Sequence, residues 1–301
     1  MSRSPTRIAP KDCECVLRID ATCGESPMWS VREQVLYWTD NLGKRIHRLE
    51  PESGSDESFA LDQDVMDIGL RERGGLVLAL AKQLAFHDPQ SGELDLLMDV
   101  ERDRPDNRFN DGKVDRRGRY WAGTMDDVHW DRPSGALYRL DRDLGLARVH
   151  GDVACANGLG WSPDDRTFYF GESFRYAILA YDFDADEGAV SARRVFASVD
   201  KSSGAFPDGL TVDAEGGIWS VHNGAGRVVR YSPDGAITHE IELPLPQPTS
   251  CIFGGRDLDV LYITTSRQNM TPEQLERYPL SGSVFAVRPG ATGLPEPLYA
   301  G

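Results

Sequence analysis

The 301-residue chain lacks an excess of basic residues, a long hydrophobic run and a secretory signal. Its 33 lysine and arginine residues stand against 48 aspartate and glutamate residues, a formal net charge of −15. Because nucleic acids and anionic membranes are bound by basic patches, this charge argues against both as partners. No apolar stretch approaches the roughly 20 residues of a membrane span, and residues 1–12 have no apolar signal segment. We expect a cytoplasmic protein and treat it as a monomer.

Cysteine is also scarce, and the common catalytic signatures are absent. Five cysteines, an odd number without the spacing of a disulfide framework or a zinc site, predict free thiols in a reducing compartment. The chain contains no G-x-S-x-G nucleophile elbow, no H-E-x-x-H zinc motif and no P-loop. A functional site must therefore be assembled from residues that are distant in sequence.

What the chain does contain is one unit repeated six times, about 41 to 51 residues apart. The first positions of the units are Glu25, Met66, Asn110, Asn157, Asp208 and Ser250, and an apolar run begins ten residues after each. Each unit offers four short strands, which is typical of a propeller blade. The sequence therefore predicts an all-β fold, a six-bladed β-propeller with four-stranded blades. A β-sandwich of similar strands is the alternative, but the recurring register favours the propeller.

Closure of the ring requires one more strand. The last unit is followed by few residues, whereas "CECVLRID" at residues 13–20 has no partner nearby in sequence. We expect this N-terminal strand to complete the last blade and close the ring, which removes open sheet edges. Residues 1–12 are expected to form a flexible tail, and residues 13–301 a single propeller domain.

Equivalent positions in a propeller lie on a ring around its axis, so the first positions of the units should meet there. Asn157 and Asp208 each precede a glycine and could simply form turns, but Glu25 is a poor turn residue. The carboxylates of Glu25 and Asp208 would repel each other unless a cation neutralised them, and the Asn157 amide oxygen would add a ligand. Three protein ligands leave positions for water and substrate, as in catalytic metal sites. We therefore expect a divalent metal ion on the axis.

The chain resembles the SMP-30/gluconolactonase/regucalcin family across nearly its whole length. The stretches that carry the resemblance are "GESPMW", "NRFNDGKVDRRGRYWAGTM", "GALYRLD", "CANGLGWSPDDRTFYFGES", "YDFDADEGAVSARRVF", "PDGLTVDAEGGIW" and "TSCIFGG". The resemblance implies a six-bladed β-propeller with a divalent metal ion in its central tunnel. It also implies hydrolysis of sugar lactones or related cyclic esters.

The resemblance further implies roles for individual residues. The family's metal ligands match Glu25, Asn157 and Asp208, and the last of these is also the expected general base. The family's substrate-contacting arginine and asparagine match Arg108 and Asn110 of "RFND".

One further substrate contact is expected in the insertion of the third unit. The family has an acidic residue shortly after "AGTM", and here the nearest candidates are Asp126 and Asp127, although a gap-free match falls on Val128. We take Asp127 and His129 as candidates for substrate binding. An ordinary loop histidine is the alternative for His129.

Together these observations predict a metal-dependent lactonase that opens an aldonolactone, such as xylono-, arabino- or glucono-lactone, to the sugar acid. Oxygen ligands suit Ca²⁺, Mg²⁺ or Mn²⁺, with Zn²⁺ and Fe²⁺ also open. Two alternatives remain. The protein could be a non-catalytic calcium-binding propeller, serving as a buffer or interaction scaffold. It could also hydrolyse a non-sugar ester, such as an organophosphate, on the same metal site.

Overall fold

The computed structural model describes residues 4–301, and nearly all of its regular structure is β-strand. Across these residues, 25 strands form six sheets, and contacts between successive innermost strands close the sheets into a ring. The predicted six-bladed β-propeller is confirmed. Among the residues described, no helix is both long enough and apolar enough to cross a membrane.

Each blade is named here by the order of its innermost strand, and its strands are given from the axis outward. Blade 1 contains β3 (Gly24–Ser30), β4 (Val35–Asp40), β5 (Arg45–Glu50) and β6 (Ser55–Ala60). Blade 2 contains β7 (Val65–Leu70), β8 (Leu76–Leu80), β9 (Gln83–His87) and β10 (Leu94–Asp99). Blade 3 contains β11 (Asn107–Val114), β12 (Tyr120–Asp126), β13 (Gly135–Leu140) and β14 (Leu146–Val153).

The remaining three blades follow the same plan. Blade 4 contains β15 (Ala156–Trp161), β16 (Thr167–Glu172), β17 (Ala177–Asp184) and β18 (Ala189–Ser198). Blade 5 contains β19 (Phe206–Val212), β20 (Ile218–Asn223), β21 (Arg227–Tyr231), β22 (Ile237–Glu242) and the N-terminal β1 (Thr6–Ile8). Blade 6 contains β23 (Pro248–Gly254), β24 (Val260–Thr265), β25 (Val284–Val287) and the N-terminal β2 (Glu14–Leu17). A short α-helix, α1 (Pro272–Arg277), lies between β24 and β25.

The N-terminal segment closes the ring. β2 pairs antiparallel with β25 as the outermost strand of blade 6, with Glu14 opposite Ala286. This pairing confirms the predicted closure by an N-terminal strand.

The segment before β2 differs from the flexible tail that we expected. Thr6–Ile8 is a strand that pairs in parallel with β22 at the outer edge of blade 5, and Pro10–Asp12 is a 3-10 turn. The physical reason is that the exposed edge of β22 offers unpaired backbone groups to an added strand. Residues 1–3 of the expected tail lie outside the described residues.

The innermost strands line the central tunnel, and each has an irregularity in its pairing with the second strand. The register shifts between Glu25 and Met28 in β3, between Asn157 and Leu159 in β15, and between Pro207 and Leu210 in β19. β7, β11 and β23 have equivalent shifts. A bulge adds a residue and redirects side chains. Glu25, Asn157 and Asp208 lie at or beside these bulges.

The hydrophobic core is divided among the interfaces between neighbouring blades. Trp121 of blade 3 packs on Phe168 of blade 4 with ring centroids 5.5 Å apart. Trp29 of blade 1 stacks on Tyr262 of blade 6 at 5.4 Å. Such sheet-on-sheet packing fixes each blade against the next, and so fixes the side chains on the axis.

A buried polar cluster follows the innermost strand of blade 5. Asp213 Oδ2 accepts hydrogen bonds from Arg230 Nε at 2.6 Å and from Trp219 Nε1 at 2.8 Å. Blade 3 repeats the arrangement, since Trp121 Nε1 donates to Asp115 Oδ2 at 2.8 Å. These carboxylates tie the turn after the innermost strand to the strands outside it.

The structure predicts a large loss of stability when Asp213 is replaced by alanine, because Arg230 Nε and Trp219 Nε1 would lose their acceptor. Removing one partner of a buried ion pair costs roughly 3–5 kcal/mol, and we expect the free energy of unfolding to fall by about that amount. Urea unfolding followed by circular dichroism measures it. The matched control is Asp234→Ala in an exposed turn of the same blade, which should change stability by less than about 0.5 kcal/mol. Equal effects of the two substitutions would contradict the role of Asp213.

Candidate active site

A cavity of about 330 Å³ opens at the end of the tunnel where the innermost strands begin. Five residues that the sequence singled out line it together: Glu25, Arg108, Asn110, Asn157 and Asp208. They come from blades 1, 3, 4 and 5, so ring closure brings them together. The first positions of the remaining two units, Met66 and Ser250, lie in different places. Met66 also lines the cavity, whereas Ser250 lines a narrower space beneath it.

Hydrogen bonds orient Asn157 and Asp208 so that each has an oxygen available for another partner. Asn157 Nδ2 donates to Ser173 Oγ at 3.0 Å, and Ser173 Oγ donates to the Pro207 carbonyl oxygen at 2.7 Å. Because the Ser173 proton is used on Pro207, the hydroxyl acts as acceptor toward Asn157, which leaves the Asn157 carbonyl oxygen available. Asn223 Nδ2 donates to Asp208 Oδ2 at 2.9 Å, which leaves Oδ1 available.

Burial and neighbouring carboxylates disfavour the ionised forms of Glu25 and Asp208. Burial, and after it the charge of Asp208, raises the pKa of Glu25 well above its ordinary value. Burial also raises the pKa of Asp208 to about 7. The hydrogen bond from Asn223 has the opposite effect and lowers this pKa. The Glu25 carboxylate accepts from the backbone nitrogen of Ser26 through Oε2 at 3.0 Å, leaving Oε1 available.

The available oxygens suit a hard divalent cation. Among residues 4–301, no group of three or more His, Cys, Asp or Glu side chains is arranged to hold a metal ion. A metal ion at this site would therefore need the Asn157 amide oxygen in addition to Glu25 and Asp208. Because Ser173 fixes that amide with its oxygen available, the residues present fit such an ion.

Arg108 is held at the cavity wall by three oxygen acceptors. Its Nη1 donates to Asn110 Oδ1 at 2.7 Å and to the Phe109 carbonyl oxygen at 2.8 Å, and its Nε donates to Asp127 Oδ1 at 2.6 Å. Asn110 Nδ2 donates in turn to the Ala156 carbonyl oxygen at 2.8 Å. Asp127 is exposed and contacts the site through Arg108, but it is not one of the residues that line the cavity.

The loop after β12 is organised by Asp126 and does not bring His129 to the cavity. Asp126 is 1% exposed and accepts from the backbone nitrogens of Val128 at 3.0 Å and His129 at 2.7 Å. The His129 side chain is exposed and is not among the residues lining the cavity. The residue of this loop that does line it is Trp130.

Sequence reasoning missed Asp111, which lines the cavity next to Asn110. Its Oδ1 accepts from the backbone nitrogen of Gly112 at 2.8 Å and its Oδ2 from that of Gly158 at 2.6 Å. Side chains in a regular strand alternate between faces, so consecutive residues face the tunnel only because β11 bulges there. No pattern in the sequence reveals a bulge. Ser173 and Asn223 were missed because they act through other side chains.

Asp67 lies lower in the tunnel, in the narrow space that Asp111 also lines. Its side chain is 1% exposed and accepts a hydrogen bond from the Tyr120 hydroxyl. Burial, and after it the charge of Asp111, raises the pKa of Asp67 to about 7. The acidic character of the tunnel thus continues below the cavity.

Comparisons with known proteins agree with the fold. Residues 23–267 match the family model described as the SMP-30/Gluconolactonase/LRE-like region. The chain is 42% identical over 288 residues to 6-deoxy-6-sulfogluconolactonase of Pseudomonas putida, covering 96% of this chain and 98% of that protein. It is 35% identical over 294 residues to regucalcin of Homo sapiens, covering 96% and 98%. The crystal structure of a calcium-binding protein, regucalcin, from Agrobacterium tumefaciens superposes with a TM-score of 0.91 at 27% identity, covering 98% of this chain and 99% of that chain.

The raised pKa of Asp67 predicts a pH-dependent effect of Asp67→Asn on the metal-free protein. The unfolded chain ionises this carboxyl near pH 4, whereas the folded chain keeps its proton up to about pH 7. The stability from protonated Asp67 is therefore complete below about pH 4 and is lost as the pH rises to about 7. Asparagine does not ionise, so the melting temperature of the variant relative to wild type should rise by several degrees between pH 5 and pH 8.

Thermal unfolding followed by circular dichroism, with chelator present throughout, measures this difference. Asp95→Asn, on an exposed strand of the same blade, is the matched control and should show no such trend. A difference for Asp67→Asn that stays constant from pH 5 to pH 8 would contradict the assignment.

Proposed function

The chain belongs to the SMP-30/gluconolactonase/LRE-like family, and from this membership we propose that it hydrolyses a sugar lactone with a divalent metal ion held by Glu25, Asn157 and Asp208. The substrate we propose is an aldonolactone, such as xylono-, arabino- or glucono-lactone, and the product is the open-chain sugar acid. The observation that carries the proposal is that the three oxygen ligands share one cavity with Arg108 and Asn110. The ion is Ca²⁺, Mg²⁺, Mn²⁺, Zn²⁺ or Fe²⁺.

In this mechanism Asp208 moves the proton. When bound, the divalent cation would polarise the lactone carbonyl and stabilise the negative charge that develops on its oxygen. Asp208 accepts a proton from water on its carboxylate as the water oxygen bonds to the carbonyl carbon. Asp208 then returns the proton to the ring oxygen as the bond between the carbonyl carbon and that oxygen breaks.

Arg108 and Asn110 orient the sugar. Their mutual hydrogen bond and their contacts with backbone carbonyl oxygens hold both side chains at the cavity wall. A ligand rich in hydroxyl groups needs such fixed polar partners, and correct placement of the carbonyl accounts for much of a rate enhancement. Asp127 supports the substrate contact of Arg108 through their ion pair of 2.6 Å.

A non-catalytic calcium-binding role is the second candidate function, because the structurally similar regucalcin is described as a calcium-binding protein. Such a role would use the oxygen ligands but would have no need of Arg108 and Asn110 at the cavity. Hydrolysis of a non-sugar ester, such as an organophosphate, would use the same ligands and is a third candidate.

We also propose that the protein acts in the cytoplasm as a monomer on a small molecule. All five cysteines lie within the described residues and are free thiols, which agrees with a reducing compartment.

The proposal predicts that lactone hydrolysis depends on a divalent metal ion. Purified protein is tested by pH-stat against xylono-, arabino- and glucono-lactone, a 6-sulfonated gluconolactone because of the similar Pseudomonas enzyme, and an organophosphate. We expect aldonolactone turnover that chelation abolishes and one of the five proposed ions restores. Full activity in protein shown by elemental analysis to be metal-free would refute metal dependence. Calcium binding without turnover of any compound would favour the non-catalytic role.

A second prediction separates the two proposed roles of Asp208. Asp208→Asn keeps an oxygen for the metal but accepts no proton at neutral pH, so metal binding should remain measurable while kcat falls roughly 10²–10⁴-fold. Asp208→Ala should lose both. Metal affinity is measured by calorimetry, kcat by pH-stat and folding by circular dichroism.

The matched control for this pair is Asp234→Asn, in an exposed turn of the same blade, which should leave kcat and metal affinity unchanged. Near wild-type turnover by metal-loaded Asp208→Asn would show that another group accepts the proton.

A further inference from the structure

Aromatic and amide side chains line the cavity in addition to the candidate site residues. Blades 3, 4 and 5 contribute aromatic rings to it, those of Trp130, Phe174 and Phe206, which we call the aromatic wall. Blades 6 and 1 contribute amide side chains, among them Gln268 and Asn41. A ligand in the cavity therefore meets aromatic rings from blades 3, 4 and 5 and amide groups from blades 6 and 1, besides the candidate site residues.

The aromatic wall is a continuous row of rings. The centroids of Trp130 and Phe174 are 5.9 Å apart with an interplanar angle of 36°, and those of Phe174 and Phe206 are 5.8 Å apart with an angle of 33°. Trp130 Nε1 donates to the Asp127 carbonyl oxygen at 3.1 Å, which fixes the indole ring. Trp130 nevertheless remains 39% exposed. An exposed aromatic surface at a cavity is a typical ligand-binding surface.

The aromatic wall is connected to the proposed metal ligands through the same short segments. Phe174 directly follows Ser173, whose hydroxyl accepts from Asn157. Phe206 precedes Asp208 by two residues in β19. A molecule whose reacting carbonyl lies at these ligands therefore lies beside the rings.

We propose that the aromatic wall binds the C–H face of the closed lactone ring, while the polar side chains of the cavity, Arg108 and Asn110 among them, bind its hydroxyl groups. This inference rests on the proposed lactonase function and specifies which part of the substrate the cavity recognises. The face of an aromatic ring is negative and attracts the weakly positive hydrogens of C–H groups. A closed sugar ring presents several such hydrogens on one face, whereas the open-chain acid presents no fixed face. The wall therefore favours the cyclic substrate over the open-chain product.

Substitutions that remove single rings test this binding role. We expect Trp130→Ala and Phe206→Leu each to raise KM for gluconolactone roughly 2- to 10-fold, the range for loss of one aromatic contact. Because the rings do not touch the reacting carbonyl, kcat should stay within about twofold, the pattern expected when uniform binding is lost. Trp130→Phe, which keeps a ring, should restore KM in part.

The matched control is Val128→Ala, which changes an apolar residue that is 62% exposed in the same loop but does not line the cavity. It should leave KM unchanged. If Trp130→Ala and Phe206→Leu hydrolyse gluconolactone with wild-type KM, the aromatic wall has no binding role and the inference is overturned.

A binding measurement distinguishes failure of this inference from failure of the proposed function. Saturation-transfer NMR on the metal-loaded protein compares 1,5-anhydroglucitol, which has the sugar ring but no lactone carbonyl, with open-chain glucitol. Wild type should prefer the cyclic compound, and Trp130→Ala should reduce that preference. If the wild-type protein hydrolyses no lactone but binds the cyclic compound preferentially, the proposed lactonase function is refuted and the binding role of the aromatic wall is supported. If the wild-type protein hydrolyses lactone but binds the cyclic and open-chain compounds equally, the lactonase function is supported and the binding role of the aromatic wall is refuted.

Discussion

The concentration of negative charge on the propeller axis is the constraint on which the rest of the structure depends. Glu25, Asp67, Asp111 and Asp208 lie along one tunnel, and burial is the main cause that raises the pKa of each. Two such charges 4 Å apart repel by about 4 kcal/mol even at an effective dielectric constant of 20. The blades must therefore be held together by packing between the sheets, while the carboxylates are stabilised by local donors or by a cation.

The local donors come from the bulges and from groups that connect neighbouring blades. The backbone nitrogen of Gly158 in blade 4 donates to Asp111 of blade 3 at 2.6 Å. Ser173 accepts from Asn157 and donates to the Pro207 carbonyl oxygen, so one hydroxyl joins blade 4 to the strand of blade 5 that carries Asp208. Support of this kind around metal-binding side chains fixes their orientation. The same hydrogen bonds thus stabilise the ring and determine which oxygens face the cavity.

This construction explains what the sequence could predict and what it could not. The ten-residue register repeats because every blade begins with the same strand, turn and strand. From this register alone, Asp208 could be assigned to the same ring of positions as Glu25 and Asn157. Asp111 was not predictable, because its direction depends on a bulge. Trp130 was not identified as a cavity residue, because it lies in a loop whose path is determined by tertiary contacts. The parallel pairing of Thr6–Ile8 joins segments more than 200 residues apart and leaves no local pattern.

Arg108 gives the strongest physical reason to regard the cavity as more than a cation site. A guanidinium that lines the same cavity repels a divalent cation, and a site evolved only to hold that cation would gain nothing from it. This repulsion is reduced because Asp127, which does not line the cavity, pairs with Arg108 Nε at 2.6 Å. Nη1 is held by Asn110 at 2.7 Å, which fixes the planar group in one orientation. A positive charge that is paired with Asp127 and oriented at the cavity is suited to an oxygen-rich ligand, such as the proposed lactone.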